Sequence, residues 1–96
     1  MDYEAVWELM SSLISDLRKG GETVPTKAMS DLRTARTMME VHKVDQSRSE
    51  NLQRIDEYLT SLETLLVPIA NRKFGKEYVD AWLKKLGKTY VQPPKW

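Results

Sequence analysis

The chain has 96 residues and a mass of 11.2 kDa, enough for one small domain. Its composition is that of an ordinary globular protein, 41% hydrophobic and 30% charged, and fifteen basic against fourteen acidic residues leave a net charge of +1, so the whole molecule is no polycation built for nucleic acid or membranes. Cysteine is absent and histidine occurs once, which excludes a disulfide framework, thiolate metal sites, a cysteine nucleophile and an all-histidine metal site within one chain.

The N-terminal stretch carries Asp2, Glu4 and Glu8 and no basic residue before Arg18, the reverse of a signal or transit sequence. The longest nearly apolar run, Leu65 to Ala70, is far too short to span a bilayer and contains Pro68. A cytoplasmic protein without membrane contact is expected.

An α-helix turns about 100° per residue, so each segment can be projected onto a wheel. In residues 3–19, Tyr3, Val6, Trp7, Met10, Leu13, Ile14 and Leu17 share one arc, while Glu4, Glu8, Ser11, Ser12, Ser15 and Lys19 lie opposite. Arg18 and Lys19 sit where the helix dipole favours cations, and Gly20-Gly21 supplies a left-handed stop. The second helix opens at Val24-Pro25, with proline expected in the first helical turn because its missing N–H is an orphan there anyway. Its stripe is small, Ala28, Leu32, Ala35 and Met39, and it is expected to end near His42 or Lys43, ahead of the polar run Val44 to Ser47.

Ser47-Arg48-Ser49-Glu50 reads as a capping box for the third helix. Leu52, Ile55, Leu59, Leu62, Leu66 and Ile69 then follow in alternating steps of three and four. Pro68 interrupts this pattern, removing a hydrogen bond and crowding the Thr64 carbonyl. A kink is expected there, with the helix either continuing to Phe74 or breaking in two, and Gly75 is the expected stop. Residues 76–87 form a fourth helix through Tyr78, Val79, Trp82, Leu83 and Leu86, with Gly87 as its expected terminator. No strand pattern or internal repeat is visible.

The fold class expected is therefore all-α: an antiparallel bundle of about four helices in one domain, residues 1–87, followed by an extended tail, residues 88–96, that contains Pro93-Pro94. The apolar arcs are broad for so short a chain, and burial of part of them between subunits makes a homodimer plausible.

Four constellations could carry function. Arg36 and His42, six residues apart, resemble in spacing the Arg-to-His motif of HEPN-type helical ribonucleases. That resemblance implies a histidine moving the proton and an arginine stabilising the phosphate. Six helical residues place the two about 120° apart, so convergence would need a dimer interface, and the simpler reading of His42 is a boundary residue near a helix C-terminus. Asp56, Glu57 and Glu63 could bind metal, but Glu40 and His42 lack the Glu-x-x-His step of di-iron bundles. A solvated acidic face, with no metal, cofactor or catalytic residue, is expected instead.

Residues 70–96 hold seven basic residues against Glu77 and Asp80, interleaved with Phe74, Tyr78, Trp82, Tyr90 and Trp96. Lysines for phosphates and aromatics for bases are the parts of a nucleic-acid surface, which makes Arg72, Lys73, Lys76, Lys84 and Lys88 its candidates for RNA. Projection places Tyr78 and Trp82 on the apolar face and Lys84 and Lys88 opposite, so a solvated mixed face is the competing reading. On the second helix, Met38 and Val41 fall off the Leu32 stripe. Together with Met29 and Arg36 they are the candidates for a protein interface.

The runs Val24-Pro25-Thr26-Lys27-Ala28-Met29-Ser30-Asp31-Leu32-Arg33 and Lys73-Phe74-Gly75-Lys76-Glu77-Tyr78-Val79-Asp80-Ala81-Trp82-Leu83 resemble a small helical protein family of methanogenic archaea. The resemblance implies a cytoplasmic archaeal setting and carries over no functional residue. The function expected is a non-enzymatic module that binds a protein partner or itself, with RNA binding as the alternative.

Overall fold

A computed structural model describes residues 3–44 and 49–89. Four helices account for nearly all of them: α1 (Tyr3–Lys19), α2 (Thr26–Val44), α3 (Ser49–Phe74) and α4 (Lys76–Thr89). They form the expected antiparallel bundle, and no strand occurs among the described residues.

The stops are made by backbone geometry. After α1, the Glu22 N–H reaches back to the Leu17 carbonyl at 2.9 Å and the Gly21 N–H to that of Arg18 at 3.0 Å. This crossed pair needs a left-handed residue, supplied by Gly21 at φ 86°. Pro25 stands just before α2, not inside its first turn. Its carbonyl accepts from the Ala28 and Met29 N–H groups at 3.0 and 3.4 Å, so it caps the helix, and the missing proline N–H costs nothing there. Gly75, at φ 93°, is the whole connection between α3 and α4. Its N–H donates to the Asn71 carbonyl at 3.0 Å while its own carbonyl accepts from Val79 at 3.2 Å, so one residue closes one helix and opens the next.

α3 runs through Pro68 as a single helix to Phe74. Pro68 and Thr64 are both exposed, so the carbonyl deprived of its partner faces water and the ring displaces nothing in the core. The expected stop at Gly87 is incorrect. α4 continues two residues further, to Thr89. Fully buried Leu86 anchors this last turn, and that packing outweighs a glycine penalty of about 1 kcal/mol. Ser47 and Arg48 of the capping box and residues 90–96 of the tail lie outside the described residues.

α1 and α3 each touch all three other helices, whereas α2 and α4 do not meet. The cross-section is therefore a flattened diamond with α1 and α3 on its short diagonal, consistent with overall extents of 41 × 28 × 16 Å. The arcs read from the sequence close on one another: Val6, Met10, Leu13, Ile14 and Leu17 of α1 and Ile55, Leu59, Leu62 and Leu66 of α3 are all buried. Broad arcs thus have partners within one chain. Among the described residues only Val41 and Val44 are large hydrophobic side chains left exposed.

Two tryptophans tie the layers together. The Trp7 indole donates to the Leu32 carbonyl at 2.8 Å, joining α1 to α2, and the Trp82 indole donates to the Leu9 carbonyl at 3.4 Å, joining α4 to α1. α2 is held on α3 by Asp31, buried and accepting from Lys27 Nζ at 2.8 Å and Ser61 Oγ at 3.0 Å.

Candidate functional site

Of the acidic residues expected to form a solvated face, Glu63 does not. It is 6% exposed and has neither a hydrogen bond nor an ion pair among the described residues. α3 lies on the short diagonal and touches the other three helices. Asn51 and Ala70 fall inside its apolar stripe, Glu63 stands only about 20° beyond Leu52 at the edge of it, and all three are buried. Desolvation pushes the Glu63 carboxyl up to about 7.

Arg36 and His42 are not brought together. The Arg36 guanidinium lies 5.2 Å over the Trp7 ring and pairs with Glu4 at 3.4 Å and Glu40 at 3.3 Å. It faces α1. His42 is half-buried on a different side of α2, with Nδ1 out of solvent and without a hydrogen-bond partner. Among the described residues, no group of three or more His, Asp or Glu is placed to hold a metal ion.

The four protein-interface candidates divide between two flanks of α2. Met29 and Arg36 face α1. Met38 and Val41, about 160° and 140° around the wheel from Arg36, lie on the flank where Asp31 meets Ser61 of α3. Met38 packs against the core and Val41 stays 45% exposed. The four do not make one surface.

The basic candidates also separate. Arg72 pairs with Glu22 at 3.4 Å. Lys73 lays its stem across Gly20, with Cε 3.0 Å from where a Cβ would stand, so it reaches the C-terminus of α1. Lys76 opens α4 and is exposed. Lys84 lies about 12 Å further along the axis of α4, and Lys88 sits on its last turn. Of the aromatics expected beside them, Tyr90 and Trp96 lie outside the described residues, and Phe74 and Tyr78 are half-buried. Trp82 is buried, Phe74 and Tyr78 stack on each other at 4.4 Å, and the Tyr78 hydroxyl donates to Asp16 Oδ2 at 3.1 Å. Burial and the Asp16 carboxylate both raise the Tyr78 hydroxyl.

A feature not foreseen from the sequence lies between α1 and α2. These two helices meet less closely than α2 and α3, and an open groove of about 490 Å³ separates them, lined by Ser11, Ile14, Ser15, Arg18, Lys19, Met29 and Leu32. It continues past Arg18 and Met29 into a second hollow of about 430 Å³ that reaches Glu22 and Arg33. Ile14 and Leu32 form the floor, the two serines leave the α1 wall low, and Met29 is half-buried at the junction. Arg18, Lys19 and Arg33 are exposed and have no ion pair among the described residues. The stack of Arg36 on Trp7 stands beyond Leu32, one turn along α2. Arg18 and Lys19 look in the sequence like ordinary end-of-helix cations. Only the return of the chain through Gly21 places Arg33 opposite them.

The fold and this groove define a four-helix bundle with an open cationic cleft between its first two helices. The family model described as the DUF2096 N-terminal four-helical bundle domain matches residues 3–92, and the chain belongs to that family. No curated protein matches the chain, and no solved structure does.

Proposed function

We propose that the chain is a non-enzymatic protein-binding module of the archaeal cytoplasm that docks its partner in the groove between α1 and α2. The groove itself carries this reading. It is long and open to solvent, so it cannot enclose a small molecule as a ligand pocket does, but it suits a segment of polypeptide laid along two helices. Met29 at its centre is the kind of adaptable apolar side chain that such surfaces use. The separation of Arg36 from His42, with Arg36 already held by Glu4, Glu40 and Trp7, supports a role without nuclease chemistry. The burial of Trp82 removes one of the candidate base-stacking platforms and favours protein over RNA. Because the apolar arcs are used within the chain, another protein fits better than a second copy. The archaeal setting rests on the resemblance carried by residues 24–33 and 73–83. The cytoplasmic one rests on the same resemblance. No helix among the described residues is long and apolar enough to cross a membrane.

A photo-crosslinking amino acid at Ser15, in the groove, compared in cells with one at Thr64, exposed on α3, tests the reading. Discrete protein adducts from position 15 and none from position 64 are expected. Equal yields at both positions, or adducts with nucleic acid alone, would refute it.

A further inference from the structure

We infer that the groove takes an acidic helical segment of another protein, its carboxylates meeting Arg18, Lys19 and Arg33. This rests on the reading of the chain as a protein-binding module and specifies the partner's chemistry.

The charge layout carries the argument. Elsewhere on α2 the cations are neutralised within the chain: Lys27 by Asp31 at 2.8 Å, Arg36 by Glu4 and Glu40, and Lys43 by Glu40 at 3.7 Å. Arg18, Lys19 and Arg33 line the groove with no ion pair among the described residues, and Glu22, the carboxylate lining the second hollow beside them, is paired with Arg72 at 3.4 Å. They stand on both walls, two on α1 and one on α2, so a ligand that satisfies them carries carboxylates on both of its flanks. Between the flanks it needs an apolar side chain to cover Met29 and room for close approach along Ser11 and Ser15.

A helix meets these demands with one face. The α1 wall from Ser11 to Lys19 is about 12 Å long, two helical turns, and residues at i, i+3 and i+4 of a docked helix fall on one stripe. Glu4 and Glu40 lie towards the far end of the cleft, beside Arg36. They repel a second carboxylate there and orient the ligand with its acidic end towards Arg18 and Lys19. The contacts are surface ones, so the binding is salt-sensitive and fast rather than tight.

The test is an amide NMR titration of the full 96-residue chain with three probes. These are a 15-residue amphipathic peptide carrying glutamates beside a leucine stripe, the same peptide with every glutamate replaced by glutamine, and a single-stranded oligonucleotide of equal length. The glutamate peptide is expected to shift Ser11, Ser15, Arg18, Met29 and Arg33. Its affinity should fall about tenfold both in half-molar salt and in the R18E/R33E double variant. Both substitutions are at exposed positions, and an unchanged amide spectrum shows that the variant is folded. If the glutamine peptide binds the groove equally well, the acidic partner is overturned while the protein-binding reading stands. If the oligonucleotide alone binds, or no probe moves the groove at millimolar concentration, both fall. Concentration-dependent shifts of the groove in the free protein would overturn the foreign partner in favour of a second copy.

Discussion

Glu63 should make the stability of the bundle fall as the pH rises from about 4.5 to about 7. The residue is 6% exposed, and burial, which penalises the charged form, raises its carboxyl from 4.5 to about 7. Between these two values the folded chain holds a proton that the unfolded chain has released, so raising the pH favours unfolding. The contribution is neutral below about pH 4.5, and its full cost is reached above about pH 8. The width of the shift corresponds to about 3 kcal/mol, a large share of the 5–15 kcal/mol typical of a domain. Glu63→Gln keeps the shape and removes the charge. Urea denaturation followed by circular dichroism at pH 5, 6, 7 and 8 should find the variant within about 1 kcal/mol of the parent at pH 5 and about 3 kcal/mol more stable at pH 8. All other titrating groups are common to both proteins, so the difference between their curves isolates this one carboxyl. A difference that stays constant across the series would refute the argument, and would mean that water or rearrangement solvates the carboxylate in the folded chain.

Smaller perturbations test the joints. Trp7→Phe removes the 2.8 Å bond to the Leu32 carbonyl and weakens the platform under Arg36, and a loss of about 1–2 kcal/mol is expected by denaturant titration. Gly75→Ala has open space for its Cβ but places an L residue at φ 93°. It should lower stability by about 1–2 kcal/mol through backbone strain alone, with the m-value unchanged. Pro68→Ala should act the other way. Exposed in mid-helix, it regains a hydrogen bond to Thr64 and raises stability by about 1–3 kcal/mol, visible as a higher melting temperature.

Features that depend on one helix are legible in the sequence, and those that depend on two are not. The limits of α1, the stop at Gly75 and the stripe from Ile55 to Ile69 follow from spacing and glycine placement, both local properties. Glu63 stands only about 20° beyond Leu52 on the wheel, so its burial is legible in angles and is hidden only by the expectation that a carboxylate faces solvent. Gly87 was misread because a glycine ends a helix only where the next turn has nothing to hold it, and buried Leu86 holds this one. The groove likewise depends on two helices. Arg18 and Arg33 are fifteen residues apart in the sequence and share a surface only after the turn at Gly21. The split of Met29 and Arg36 from Met38 and Val41 was, by contrast, available from angles alone.

The short diagonal of the diamond also bears on how the chain is born. During synthesis α1 and α2 leave the ribosome before α3, yet they face each other across an open cleft, and the apolar stripe that seals both belongs to α3. The first 44 residues therefore have no interior of their own. A nascent chain should stay uncommitted until about residue 74 has emerged, then close around the third helix in one step. A fragment ending at Val44 should accordingly unfold without a cooperative transition, whereas the full chain melts as a single unit.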